Sequence, residues 1–135
     1  MNKYMETTSI KIKEIIENNE CCGLMMDAGL NDLILLCSAD YEVEFRYVKL
    51  IDRVIVSRVK FNNKRNGCFT KCMKVLQDNA KEYDVHRIIV QSVETAEMAR
   101  WCNKNGYKLN GISILDGIKI GNSKYCFGDY ELSIN

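Results

Sequence analysis

The sequence has no proline, a single histidine, a single tryptophan and a formal net charge of only +1. Without proline the strongest helix stop is missing, so element boundaries must be read from glycine, asparagine and hydrophobic periodicity. The near-zero charge supplies no bulk attraction toward nucleic acid or an anionic membrane. The densest basic group, Lys60, Lys64, Arg65 and Lys71, fits a solvated loop as well as it fits a ligand contact. No apolar run approaches the roughly 20 residues of a membrane span, and the longest, residues 33–37, has strand length. Residues 1–6 are polar and lack the apolar core of a signal peptide. The expectation is a cytoplasmic chain with neither a nucleic-acid nor a membrane partner.

Cysteine, by contrast, is abundant. Cys21, Cys22, Cys37, Cys68, Cys72, Cys102 and Cys126 make an odd count with no C-x-x-C spacing, and His86 has no ligand-like neighbours. Structural zinc needs a closed set of four ligands, usually closely spaced. The cysteines are therefore expected to be reduced and mostly buried, with no metal site. The 135 residues, 47% of them hydrophobic, fit one domain spanning residues 1–135.

Periodicity divides the chain. Residues 9–18 place Ile12, Ile15 and Ile16 on one face of a helix, with Ser9 as its N-cap. Residues 19–31 are ambiguous, with a short helix as one reading. Residues 32–39, 41–50 and 53–61 follow as strands, the second and third with alternating apolar positions, and short turns between them give an antiparallel meander. A polar loop, residues 62–67, precedes a helix over 68–83, where Phe69, Cys72, Met73, Leu76, Ala80 and Tyr83 keep a helical rhythm. Ile88, Ile89 and Val90 form a continuous apolar run, as in a strand buried on both faces. A second helix covers 95–104 and ends at Asn105-Gly106, a C-cap signal. Two strands, near 108–115 and 125–134, close the chain around a Gly-rich loop. Residues 53–93 thus form a strand–helix–strand crossover, expected to be parallel and right-handed. The fold class expected is α/β, a mixed central sheet with helices on both faces.

The unit that carries chemistry is a strand, a polar loop ending in Gly67, and a helix. The first N–H groups of a helix have no intrahelical acceptor, and the helix dipole adds partial positive charge there. Glycine admits close approach of a bulky anion, so the turn is a candidate phosphate site, to which Lys64 and Arg65 can add charge-assisted bonds. Neither a dinucleotide-binding nor a nucleotide P-loop glycine pattern is present.

Three segments together resemble the GCN5-related N-acetyltransferase (GNAT) family, over roughly residues 53–107. Val59 to Phe69 occupies the position of the family's [QR]-x-x-G-x-[GA] motif. Ile88-Ile89-Val90-Gln91-Ser92-Val93 resembles its central strand. Thr95-Ala96-Glu97-Met98-Ala99-Arg100-Trp101-Cys102-Asn103-Lys104-Asn105-Gly106-Tyr107 resembles the helix that ends in Tyr-x-Lys-x-Gly-[FY]. The pattern is departed from at several points. Lys64 stands for Gln or Arg, Phe69 for Gly or Ala, Thr95 for an Asn that supports the pantetheine arm, and Cys102 for a Tyr that protonates the departing thiolate.

The resemblance implies a small, divergent acyl-CoA-dependent N-acyltransferase, most simply one moving acetyl from acetyl-CoA to a primary amine by direct attack. It implies a cofactor site at Val59, Phe61, Lys64, Arg65, Asn66, Gly67, Cys68, Phe69, Thr70 and Thr95. No carboxylate lies on the strand before Gly67, so Glu42 and Glu44 on the preceding strand are the candidate bases, although the same alternation makes them its wet face. Cys102 is a candidate acid, or a small residue that packs. Tyr130, with Tyr125, is a candidate replacement acid on the last strand. The alternative is an inactive module of the same fold that binds CoA or a protein partner. The acceptor amine is not legible, and a homodimer is compatible with the sequence.

Overall fold

The computed structural model describes residues 2–20, 22–61, 67–110 and 118–134. In chain order the elements are α1 (Lys3–Glu20), β1 (Met25–Ala28), β2 (Leu33–Cys37), β3 (Tyr41–Val48), β4 (Arg53–Phe61), α2 (Cys68–Glu82), β5 (Arg87–Val93), α3 (Ala96–Lys104), β6 (Lys108–Leu109) and β7 (Gly128–Ser133). The strands form one mixed sheet in the order β1-β2-β3-β4-β5-β7-β6, the α/β arrangement expected. Among the described strands only β4 and β5 pair in parallel, as their helical crossover requires; the other described pairs are antiparallel.

The core is legible as a row across the sheet. Ile34 lies opposite Phe45, Phe45 opposite Val56, Val56 opposite Val90, and Val90 opposite Tyr130. All five are buried. Cross-strand partners share a face, and the helices reach that face. Tyr4 of α1 stands 6.3 Å from Tyr47, Phe69 of α2 stands 5.7 Å from Phe61, and Cys102 and Asn103 of α3 neighbour Tyr130. These three contacts run to the face of that row. Handedness accounts for it: the β4–α2–β5 and β5–α3–β6 connections step the same way across the sheet, so right-handed crossovers bring α2 and α3 to one side. On the other face Glu131 lies between Arg53 and Arg87, at 3.7 and 3.9 Å, beside buried Ile55 and Ile89.

The N-terminal helix begins at Lys3, well before the expected start at Ser9. Tyr4, Met5, Thr8, Ser9, Ile12 and Ile16 form its buried stripe, and the two hydroxyl residues interrupt the apolar rhythm. Thr8 Oγ1 accepts from Asn79 Nδ2 at 3.0 Å inside the α1–α2 contact. Ser9 is a mid-helix residue and not the N-cap; its hydroxyl donates to Glu6 O at 3.1 Å. Asn2 does the capping, its Oδ1 accepting from Met5 N at 3.2 Å. Within the ambiguous segment 19–31 the described element is the edge strand β1 rather than a short helix. No described helix is long and apolar enough to cross a membrane. None of the six described cysteines is in a disulfide, and Cys68, Cys72 and Cys102 are buried.

Candidate active site

The parallel pairing of β4 with β5 runs from Arg53↔Arg87 to Val56↔Val90 and then stops. Both strands carry an irregularity at that point. In β4 the register against β3 shifts between Val56 and Arg58, leaving Ser57 as an extra, unpaired residue. In β5 the register against β7 shifts between Val90 and Val93. There Ser92 takes a left-handed backbone (φ 54°), and its N–H donates to Asp129 Oδ1 at 2.7 Å. A bulge bends its strand and increases local twist. Two bulges at one level turn β4 and β5 apart.

The divergence opens a cleft of about 390 Å³. Its β4 wall is Ser57, Arg58 and Val59; its β5 wall runs from Gln91 to Glu94, with Thr95 and Met98 of α3 beyond and Glu42 of β3 at one side. Thr95 caps α3, its Oγ1 accepting from Met98 N at 3.2 Å. Among the described residues Glu42 and Glu94 are the only carboxylates lining this cleft. Arg58 links Glu42 to its neighbour, lying 3.5 Å from Glu42 Oε1 and 4.0 Å from Glu44 Oε2. Ser57 Oγ donates to Glu44 Oε1 at 2.8 Å. Glu44 therefore braces the bulge and is not part of the cleft lining.

Beyond Phe61 the chain reaches α2. Gly67 is the N-cap with φ 71°, ψ 13°, and as a glycine it gives the helix no side-chain cap of its own. The left-handed backbone is why glycine belongs there. Cys68 is buried in the first turn. Phe61, Phe69 and Trp101 pack edge-on in sequence, with centroids 5.7 and 4.7 Å apart. The Phe69 side chain thus joins aromatic packing between β4, α2 and α3. Thr70 Oγ1 accepts from Trp101 Nε1 at 2.9 Å, which ties α3 to the start of α2. Lys64, Arg65 and Asn66 lie outside the described residues.

Of the sequence candidates, Glu42, Val59 and Thr95 come together in the cleft, with Phe61, Gly67, Cys68, Phe69 and Thr70 along the chain that leads from it into α2. Cys102 and Tyr130 do not line it. Cys102 has no exposed surface, and burial pushes its thiol up to about 12. Tyr130 is buried, donates its hydroxyl to Cys126 O at 2.7 Å, and is raised by burial. Sequence reasoning missed Ser57, Ser92 and Glu94. A bulge leaves no pattern in composition; the one available signal for Glu94 was its place directly before the cap of α3.

No protein-family model matches the sequence, and no curated protein matches it. Solved structures do. Nourseothricin acetyltransferase superposes with a TM-score of 0.55 at 12% identity, covering 76% of this chain and 65% of its own. A probable GNAT-family acetyltransferase from Chromobacterium violaceum gives 0.57 at 15% identity, covering 78% and 59%. The chain has the GNAT fold. A Bacillus subtilis acetyltransferase solved in complex with CoA gives 0.55 at 12% identity, covering 91% of this chain and 84% of its own. The chain spans less than two thirds of the first two proteins. At these identities the likeness concerns the fold alone.

Proposed function

We propose that this chain binds an acyl-CoA in the β4–β5 cleft and transfers the acyl group to a primary amine. What carries this reading is the end of parallel pairing at Val56↔Val90. Past that point the edge of β4 faces a cleft and not a neighbouring strand, so its backbone groups are available to the amides and thioester carbonyl of an extended chain. The start of α2, whose N-cap Gly67 has no side chain of its own to cap it, suits the pyrophosphate. Lys64, Arg65 and Asn66 belong to the same proposed cradle, and acetyl-CoA is the simplest donor.

The chemistry is direct. The amine nitrogen bonds to the thioester carbon, the carbon–sulfur bond breaks, and the thiolate leaves. Orientation and stabilisation of the developing oxyanion supply most of the acceleration. Glu42 is the proposed base, receiving the amine proton directly or through one water. Cys102, held protonated to about 12, is a poor donor to a thiolate whose ordinary thiol value is near 8.5; it packs α3 against the sheet. Solvent at the cleft mouth reprotonates the leaving sulfur.

A second reading, a CoA-binding module without turnover, is favoured by the Glu42–Arg58 pair, which offers Glu42 a purely structural partner. A thiol-release assay over a panel of primary amines separates the two. Release matched by acylated amine, and lowered about 10²–10⁴-fold in kcat by Glu42→Gln with acyl-CoA affinity kept, supports transfer. Tight CoA binding without release for any amine identifies a module.

A further inference from the structure

A cavity larger than the cleft lies away from it. It measures about 590 Å³ and sits between the outer flank of α3 and the segment 118–127, above β6 and β7. Arg100, Asn103 and Lys104 line it from α3, Lys124 and Tyr125 from the other side, and Leu109 from below. Among the described residues that line it, none is acidic. Among the described residues no carboxylate lies within ion-pair distance of Arg100, Lys104 or Lys124.

Three features make this more than a solvated helix face. Arg100 and Lys104 are like charges four residues apart on one helix, an arrangement that costs a few tenths of a kcal/mol unless something neutralises it. The third cation comes from a distant part of the chain, and its placement is built. The segment folds into a hairpin, with Ile120 N donating to Tyr125 O at 2.8 Å and Phe127 N to Ile118 O at 2.9 Å. Lys119 Nζ donates to Lys124 O at 3.0 Å, and the buried Tyr130 hydroxyl ties Cys126 O to β7. Beside the polar Asn103, the lining includes Leu109 and the Tyr125 ring, 5.5 Å below Lys124 Nζ. A concave site with converging cations and an apolar floor concentrates anions and holds an organic body. An arginine fork beside two ammonium groups matches a phosphate better than a single carboxylate.

We propose that the cavity between α3 and the 118–127 hairpin is a second binding site, for a small phosphate-bearing molecule whose phosphate lies among Arg100, Lys104 and Lys124. The site does not depend on the acyltransferase reading. The test is an amide NMR titration of the full chain with pyrophosphate at low ionic strength, repeated with CoA. Pyrophosphate should shift the amides of residues 103–104 and 124–126 saturably, and salt should weaken the effect. Arg100→Glu/Lys104→Glu should lower that affinity about tenfold or more; both side chains are exposed, so the fold should persist, and Arg100→Gln/Lys104→Gln should give a smaller loss. Gly67→Val should leave these shifts unchanged even if it removes CoA binding. If CoA moves the same amides, its own phosphates are one source of the ligand. Shifts confined to residues 67–72, no saturation, or a charge-reversed variant that titrates like the parent would overturn the proposal.

Discussion

The β4–β5 cleft and the cavity beside α3 are made in different ways. The cleft between β4 and β5 is a product of backbone geometry. Pairing ends at Val56↔Val90, Ser57 and the Gln91–Ser92 segment bulge, and the walls are largely strand. The cavity beside α3 is a product of side chains, with cations from two segments over an aromatic floor. A space made by strand divergence tolerates most side-chain changes and is lost when the register changes. A space made by charge keeps its shape through charge reversal and loses its ligand.

The largest expected effect removes what both share. Phe45 occupies the middle of the buried row and has no exposed surface. Phe45→Ala should cost about 3–5 kcal/mol, read as a lower urea midpoint, and should weaken both cavities; a loss below about 1 kcal/mol would contradict the row as the core. Next, deleting Ser57 should separate the two. The residues after it already pair in register, Arg58 with Glu44 and Val59 with Val43, so removing the bulge should straighten β4 and leave the pairing beyond it in place. Acyl-CoA affinity should fall more than about tenfold, equivalent to about 1.4 kcal/mol, while pyrophosphate shifts at residues 124–126 stay. Equal loss at both sites would show that the cavities are coupled.

Cys102→Ala should be milder. It should cost about 1–2 kcal/mol of stability and leave the rate of thiol release within about twofold, because the residue packs. Its pH dependence has a definite sign. The thiol keeps its proton to about 12 when folded, against an ordinary value of 9.0 for an exposed cysteine. The protonated form is the one the core accepts, so this contribution is complete below 9.0 and is lost as pH rises from there toward 12. Alkylation of Cys102 by iodoacetamide at neutral pH should accordingly wait on unfolding, and rapid labelling of the native protein would place the thiol at the surface. The smallest effect belongs to a site remote from both cavities. Glu17 Oε2 accepts from Leu24 N at 3.0 Å and Oε1 pairs with Lys13. These contacts, the backbone bond first, lower its carboxyl below the ordinary value of 4.5. Glu17→Gln should slightly lower the melting temperature above pH 4.5, and the two proteins should converge as pH falls through the depressed value.

The middle of this fold is legible in the sequence because its strands and helices are strongly periodic. Residues 53–61, the 68–83 helix, the 88–93 run and the 95–104 helix stand within a residue or so of the structure. The ends are harder for identifiable reasons. Thr8 and Ser9 put hydroxyls into the buried stripe of α1 and hid its first two turns, although Asn79 gives Thr8 a partner 71 residues away. Gly23 and Gly29 flank Met25–Ala28 and obscure a strand whose residues are all exposed. The 125–134 strand begins later, at Gly128, because residues before it belong to the 118–127 hairpin. In the candidate site, Glu42, Val59 and Thr95 were named from pattern and resemblance. Ser57 and Ser92 were not, since a bulge answers to sheet twist and not to residue type. The basic cavity was invisible because Arg100, Lys104 and Lys124 share no motif and meet only through β6 and the hairpin.

The central claim is that the divergence of β4 from β5 holds an acyl-CoA, and calorimetric titration of the folded chain with acetyl-CoA tests it most directly. The account predicts saturable binding to the cleft in the parent. Gly67→Val should reduce it strongly: the left-handed N-cap costs a side chain about 1–2 kcal/mol, and although no atom lies within 4 Å of an added Cβ, the first turn of α2 must change its backbone. Arg100→Glu/Lys104→Glu should leave the cleft's binding intact. Absence of saturable heat with the natively folded parent, confirmed by unchanged amide spectra for residues 57–59 and 67–70, would contradict the claim.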